Sequence, residues 1–140
     1  MVTYIDTSVL VALCTNEGES AKVDKWYSHC KDELISAIWC ITEFASALSI
    51  KQRTGQLNQE LANKSWEQFK ILCHSDINLL PLDPAEYYAA ANMILGKSRG
   101  LRAGDALHLA CAQKQNANNL ATLDKVMAQN AKILKIKNIF

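Results

Sequence analysis

The sequence predicts an α/β domain in which helices cover both faces of a central, mostly parallel sheet of four or five strands. Short apolar segments of strand length alternate with longer segments whose apolar residues recur at helical spacing. Short, almost wholly apolar strands are typical of a sheet that is buried on both faces. Of the 140 residues 49% are hydrophobic and 21% charged, a globular composition, and we expect residues 1–140 to form a single domain.

Five strands are expected, and the last of them lies at an edge of the sheet. The predicted strands are residues 2–5, 34–38, 77–82, 120–123 and 133–136. Seven helices alternate with them, at residues 7–13, 20–31, 40–53, 57–74, 84–95, 103–115 and 125–130. Gly55 suits the end of the third helix. The fifth helix begins with a typical capping box. Asp83 is its N-cap, Pro84 its first residue and Glu86 its third.

Four acidic residues lie at the ends of strands or at the beginnings of helices. Asp6 follows the first strand and Asp124 follows the fourth, whereas Glu43 and Asp105 lie near the starts of two helices. In a parallel α/β domain the carboxyl ends of the strands meet at one edge of the sheet, where ligands bind. We therefore expect these four carboxylates to lie close together.

Each acid also has a purely structural interpretation. A carboxylate is favourable at the positive end of a helix, so Asp6 and Asp124 could simply cap the helices that follow them. Asp83 and Glu86 are fully explained in this way and are left out of the site. Four carboxylates in one pocket repel one another unless a cation bridges them, and ligation by carboxylates alone suits Mg²⁺ or Mn²⁺. Such an ion supports the hydrolysis of phosphodiesters.

Charge, cysteine content and hydropathy limit the partners and the cellular compartment that we expect for the protein. The net charge of +1 gives no general basic field, so any contact with nucleic acid must come from a local patch. The five cysteines contain no Cys-x-x-Cys pair, which favours reduced thiols in a cytoplasmic protein. No apolar segment approaches the roughly 18 residues of a membrane-spanning helix, so no membrane contact is expected.

Four segments of the chain resemble the acidic motifs of PIN-domain nucleases, and most closely those of VapC-type toxins of prokaryotic toxin–antitoxin pairs. In chain order they are YIDTSVLVAL, ITEFASAL, LRAGDALHLA and LATLDKVM. The resemblance covers essentially the whole chain. It implies a three-layer α/β/α PIN-like fold and a Mg²⁺- or Mn²⁺-dependent endoribonuclease that cleaves RNA. It also implies a homodimer and an antitoxin protein that occupies the active-site groove.

The resemblance also implies roles for individual residues. Asp6, Asp105 and Asp124 would bind the metal ion, and Glu43 would orient or activate the attacking water. Two hydroxyls and two arginines are further candidates, the former to hold the carboxylates and the latter to contact RNA phosphates: Ser8, Thr122, Arg99 and Arg102. His108, three residues after Asp105, is expected to pack in the interior or to support an acid rather than to bind the metal.

Two alternatives to a toxin stay open. The protein could be a PIN nuclease of RNA processing that has no antitoxin, or a catalytically silent domain that only binds a partner. The presence of all four acids favours catalysis. Helices 40–53 and 57–74 carry more apolar residues than one sheet face requires, which favours burial against a second copy: Ile41, Phe44, Leu48, Trp66 and Phe69.

Overall fold

The computed structural model describes residues 1–96 and 100–140 and contains a five-stranded sheet in which all neighbouring strands are parallel. The strand order is β3-β2-β1-β4-β5. The strands are β1 (Val2–Ile5), β2 (Glu33–Ala37), β3 (Ile77–Leu80), β4 (Asn119–Ala121) and β5 (Lys137–Asn138). The predicted α/β class with a mostly parallel sheet is confirmed. Because β1 lies between β2 and β4, the end of β1 is the centre of the carboxyl edge.

Seven helices in the described parts of the chain flank the sheet. They are α1 (Thr7–Cys14), α2 (Ser20–His29), α3 (Cys40–Arg53), α4 (Gln59–Ser75), α5 (Pro84–Leu95), α6 (Ala103–Lys114) and α7 (Lys125–Ile133). The predicted capping box at the start of α5 is present. None of the described helices is long and apolar enough to cross a membrane.

The sheet separates two apolar clusters, which gives the expected three layers. Successive strand residues point to opposite faces, so Tyr4 packs with α5, α6 and α7 while Ile5 packs with α1 to α4. Ile35 and Leu34 of β2 divide in the same way. Both faces of the sheet are therefore shielded from solvent, and polar side chains on the strands must form hydrogen bonds within the protein.

The predicted edge strand at residues 133–136 is wrong. Helix α7 continues to Ile133, and the chain leaves it through Lys135 in the left-handed conformation (φ 61°). The N–H of Ile136 bonds to the carbonyl of Ala131 and that of Lys135 to Lys132, both at 3.0 Å, which is a Schellman helix end. Ile136 is buried as part of this cap, and the edge strand starts one residue later.

Much of the apolar surface of α3 and α4 packs within the chain. Phe44, Leu48 and Phe69 are buried, and the rings of Phe44 and Phe69 stack at 4.2 Å between centroids. Trp66 stacks on Phe69 in turn, at 5.4 Å. Phe44, Leu48 and Phe69 are therefore not available for a dimer interface, whereas Ile41 and Trp66 stay partly exposed, and the homodimer remains a prediction.

Candidate active site

Asp6 lies at the end of β1, and three hydrogen bonds fix its carboxylate. Oδ1 accepts from the Ser8 hydroxyl at 2.6 Å and from the backbone N–H of Val9 at 3.2 Å, while Oδ2 accepts from the Thr122 hydroxyl at 2.6 Å. The side chain is only 2% exposed. Burial raises the pKa of Asp6, and the hydroxyls of Ser8 and Thr122 oppose that rise. Asp6 is thus the N-cap of α1, and Ser8 and Thr122 hold it in place.

Asp124, three residues after the end of β4, caps α7. Its Oδ1 accepts from the N–H groups of Val126 and Met127 at 2.8 and 3.0 Å. The hydroxyl of Thr122, which donates to Asp6, also accepts from the N–H of Asp124 at 3.0 Å. The hydroxyl of Thr122 therefore links Asp6 and Asp124, and both acids do cap the helices that follow them.

Glu43 reaches the same edge from the first turn of α3. Its Oε1 accepts from the hydroxyl of Thr7 at 2.7 Å and contacts Nε2 of His108 at hydrogen-bonding distance. Burial alone would raise the pKa of Glu43, but the donors on His108 and Thr7 outweigh it and the pKa is lowered. Glu43 is therefore ionised at neutral pH.

Gly104 makes room for the other oxygen of Glu43. A Cβ atom at residue 104 would lie 2.8 Å from Oε2 of Glu43 and 3.1 Å from Nε1 of Trp39. Separations below 3.0 Å essentially never occur for a real Cβ, so the carboxylate occupies space that only glycine leaves free. The close approach places Glu43 beside the residue that precedes Asp105.

Asp105, in the first turn of α6, has a half-buried carboxyl group with a raised pKa. Burial raises its pKa, and the charge of Asp124 raises it further. Oδ2 of Asp105 is buried and has no hydrogen-bond partner in the described residues. Its ion-pair partner there is Arg102, whose Nε lies 3.5 Å from this oxygen and whose Nη2 lies 3.7 Å from Oδ2 of Asp124. The guanidinium thus spans two carboxylates, with a side chain that is 80% exposed.

The four predicted acids meet at the carboxyl edge of the sheet. Asp105 feels the charges of both Asp124 and Glu43, and Glu43 bonds to Thr7, the residue after Asp6. Three contributions are not evident from the sequence: Thr7 bonds to Glu43, Gly104 makes room for it, and the hydroxyl of Tyr4 lies within hydrogen-bonding distance of Nδ1 of His108. The position of Thr7 between Asp6 and Ser8 could have indicated its role. Nothing in the sequence indicates the roles of Tyr4 and Gly104. Arg99 lies outside the described residues.

The site suits a divalent cation by its donor chemistry. In residues 1–96 and 100–140 no group of three or more His, Cys, Asp or Glu side chains is arranged so that it could hold a metal ion as it stands. The acids nevertheless present only oxygen donors, the choice of Mg²⁺ and Mn²⁺. Asp105 keeps an unbonded buried oxygen, and a guanidinium already supplies positive charge between Asp105 and Asp124. These observations fit a cation at Asp105 and Asp124, with Asp6 linked to Asp124 through the hydroxyl of Thr122.

The sequence matches the family model of the PIN domain over residues 3–133. The chain therefore belongs to the PIN domain family, in agreement with the resemblance of its motifs. No protein with curated annotation shows significant sequence similarity to this chain.

Solved structures with a similar fold include several proteins of low sequence identity. VapC20 of Mycobacterium tuberculosis, a sarcin–ricin loop cleaving toxin, has a TM-score of 0.73 at 12% identity, over 91% of this chain and 93% of that one. PAE2754 from Pyrobaculum aerophilum has a TM-score of 0.69 at 23% identity, over 99% and 84%. VapBC-1 from nontypeable Haemophilus influenzae has a TM-score of 0.65 at 19% identity, over 99% and 96%. Likeness at these identities shows the fold.

Proposed function

We propose that the protein is a metal-dependent endoribonuclease, which hydrolyses RNA phosphodiester bonds as the toxin of a toxin–antitoxin pair. The observation that carries the proposal is the meeting of Asp6, Glu43, Asp105 and Asp124 at one sheet edge of a PIN domain. The similarity in fold to VapC20, a sarcin–ricin loop cleaving toxin, and to VapBC-1 supports the toxin assignment.

Asp6, Asp105 and Asp124 would hold Mg²⁺ or Mn²⁺. Such an ion supplies a Lewis acid for the phosphoryl oxygens and lowers the pKa of bound water. Asp6 arrives with its orientation fixed by Ser8 and Thr122, which limits the rearrangement that binding requires. Asp124 keeps Oδ2 for this role because its helix cap uses Oδ1.

Glu43 orients or activates the attacking water. Its lowered pKa keeps it ionised, so it can accept a hydrogen bond from water at neutral pH. Arg102 contacts an RNA phosphate at the mouth of the site, since its long side chain is exposed and can leave Asp105 and Asp124 when a metal ion neutralises them. Arg99, three residues earlier, stays a candidate for the same role.

An antitoxin protein and a second copy of the chain are the proposed partners. The helix that best fits partner contact is α5, where Tyr87, Tyr88 and Leu95 are large, apolar and exposed. Five free thiols suit the reducing cytoplasm in which such a toxin would meet its RNA.

Expression in a bacterial host tests this proposal and at the same time identifies the RNA. Cells that express the wild type should stop growing and accumulate new RNA 5′ ends at one or a few sites, and an Asp105→Asn variant should produce neither effect. Purified protein should cut the RNA so identified in Mg²⁺ or Mn²⁺ and not in chelator. Identical RNA ends from the wild type and Asp105→Asn at equal protein levels would contradict the proposal. A gene for an antitoxin beside this one would separate a toxin from a processing nuclease.

A further inference from the structure

We infer that His108 is a positioning residue for Glu43, and that Tyr4, buried inside the sheet, holds His108 in the one tautomer that can do this. The inference rests on the proposed function, because it concerns how the carboxylate of Glu43 is presented to water. The tautomer itself is a property of the protein that can be measured without any reaction.

Tyr4 lies on β1 and is completely buried. Its hydroxyl oxygen accepts a hydrogen bond from the N–H of Ala37, the last residue of β2, at 2.9 Å. The same hydroxyl lies 2.7 Å from Nδ1 of His108, and the two rings meet edge to face with centroids 5.7 Å apart. His108 is 1% exposed, so both ring nitrogens must be satisfied by protein groups.

The groups on either side set the direction of the bond between Tyr4 and His108, because Ala37 donates to the hydroxyl oxygen and the carboxylate of Glu43 can only accept from Nε2. A tyrosine hydroxyl keeps its proton at neutral pH. The oxygen already accepts from Ala37, and its proton is donated to Nδ1 of His108, the nitrogen at 2.7 Å. Nδ1 is then an acceptor, and the ring N–H lies on Nε2.

The proton on Nε2 is what Glu43 requires. Nε2–H donates to Oε1 of Glu43, and the hydroxyl of Thr7 donates to the same oxygen. Oε2 is left in the space that Gly104 provides. One oxygen is therefore fixed by two donors and the other is placed beside α6, next to Asp105.

The opposite tautomer would present a lone pair of Nε2 to a carboxylate, which repels it. Tyr4 therefore does more than fill space, because its hydroxyl selects the attractive arrangement over the repulsive one. A chain of donors runs from the backbone of β2 through Tyr4 and His108 to Glu43. The sheet backbone thereby sets the orientation of a catalytic side chain on α3.

The direct test is ¹⁵N NMR of the histidine rings in the metal-free wild-type protein at neutral pH. We expect His108 to show an unprotonated Nδ1 and a protonated Nε2. The Tyr4→Phe variant keeps the ring and removes the proton donor, and it should show a mixture of tautomers. A wild-type His108 protonated at Nδ1, alone or together with Nε2, would overturn the inference, and so would a Tyr4→Phe spectrum identical to that of the wild type.

Kinetics on the RNA identified above supply the second readout. Tyr4→Phe should lower kcat by about 10- to 100-fold with little change in KM, the scale for loss of a supporting partner in a metal site. Tyr27→Phe is the matched control, since its hydroxyl bonds to Asp76 away from the site. His108→Gln can place an amide donor near the position of Nε2 and should keep more activity than His108→Asn.

If Tyr4→Phe lowers only the melting temperature, the contact is structural and the inference fails. If the wild type cuts no RNA, the proposed function is wrong. The NMR measurement still determines the tautomer of His108 in that case.

Discussion

The hydroxyl of Thr122 donates a 2.6 Å hydrogen bond to Oδ2 of Asp6, across 116 positions of sequence. This contact joins the ends of two neighbouring parallel strands and is fully buried. It explains why a carboxylate with so little exposure is tolerated at the end of β1, since burial without donors would raise its pKa further.

Replacing Thr122 by valine tests this contact. Thr122→Val keeps the shape of the side chain and leaves Oδ2 of Asp6 without its donor. We expect a loss of about 1–3 kcal/mol in the free energy of unfolding, measured by urea titration, because a buried acceptor is left unsatisfied. RNA cleavage should fall by about 10- to 100-fold. Thr122→Ser, which keeps the hydroxyl, is the control, and a valine variant as stable and active as the serine variant would refute the role of this bond.

Gly104→Ala tests the space beside Glu43. Alanine normally stabilises a helix relative to glycine by about 0.5–1 kcal/mol, but here its Cβ would lie 2.8 Å from Oε2 of Glu43. The carboxylate must move by several tenths of an ångström, and we expect kcat to fall about tenfold or more, since misplacement of a catalytic group is costly. Gly18→Ala is the control, because nothing lies within 4 Å of a Cβ there. Full activity of Gly104→Ala would show that the position of Glu43 is not critical.

Arg102→Gln tests whether the guanidinium competes with a metal ion for Asp105 and Asp124. In chelator the variant should be slightly less stable, by no more than about 1 kcal/mol, because the ion pairs of this side chain are exposed to solvent. In Mn²⁺ it should be stabilised at lower ion concentrations than the wild type. Melting curves over a series of Mn²⁺ concentrations measure this, with Arg53→Gln at the end of α3 as control. Equal responses of the wild type and Arg102→Gln would exclude competition.

The raised pKa of Asp105 predicts a pH dependence with a definite sign. A carboxyl group whose pKa is higher in the folded than in the unfolded state destabilises the fold when ionised. The metal-free wild type should therefore be less stable than Asp105→Asn at pH 7. The difference should shrink as the pH falls through the raised pKa and vanish below the ordinary value of 3.8. Unfolding titrations of both proteins across this range measure it, and a difference that grows toward acid pH would contradict the assigned shift.

The sequence predicts the position of each acid because the positions depend on local rules. Strand length, helix spacing and the parallel topology together place Asp6 and Asp124 at one edge, and they do so before any contact is known. Contacts that depend on packing could not be predicted. The bond between Tyr4 and His108 joins opposite ends of the sequence, and the approach of Glu43 to Gly104 depends on how two helices meet.

The end of α7 shows a different limit. A helix end of the Schellman type usually places glycine in the left-handed position, and here Lys135 occupies it. The glycine signal was absent, so the apolar residues around it suggested a strand. Similarly, Phe44 and Phe69 suggested an interface because composition alone does not reveal that α4 packs on α3.

The central claim is that the four carboxylates form a catalytic metal site, and Asp105→Asn tests it most directly. Asp6 is less suitable, because both of its oxygens accept hydrogen bonds and an amide there would disturb the fold. Oδ2 of Asp105 has no hydrogen-bond partner in the described residues, so the substitution removes the charge and the solvent-exposed ion pair with Arg102 without breaking a hydrogen bond to this oxygen. Asp83→Asn, in the capping box of α5, is the control and should lose a little stability and no activity.

The decisive measurement is RNA cleavage by Asp105→Asn, with melting curves of the same protein in chelator and in Mn²⁺. Cleavage should fall by about two orders of magnitude or more. In chelator the variant should melt at or above the wild-type temperature, because one of several repelling charges is gone. The wild type should gain about 2.7 kcal/mol from Mn²⁺ at a hundred times its dissociation constant, and the variant much less. A variant that cuts RNA like the wild type, melts lower in chelator and responds equally to Mn²⁺ would show that these acids only cap helices.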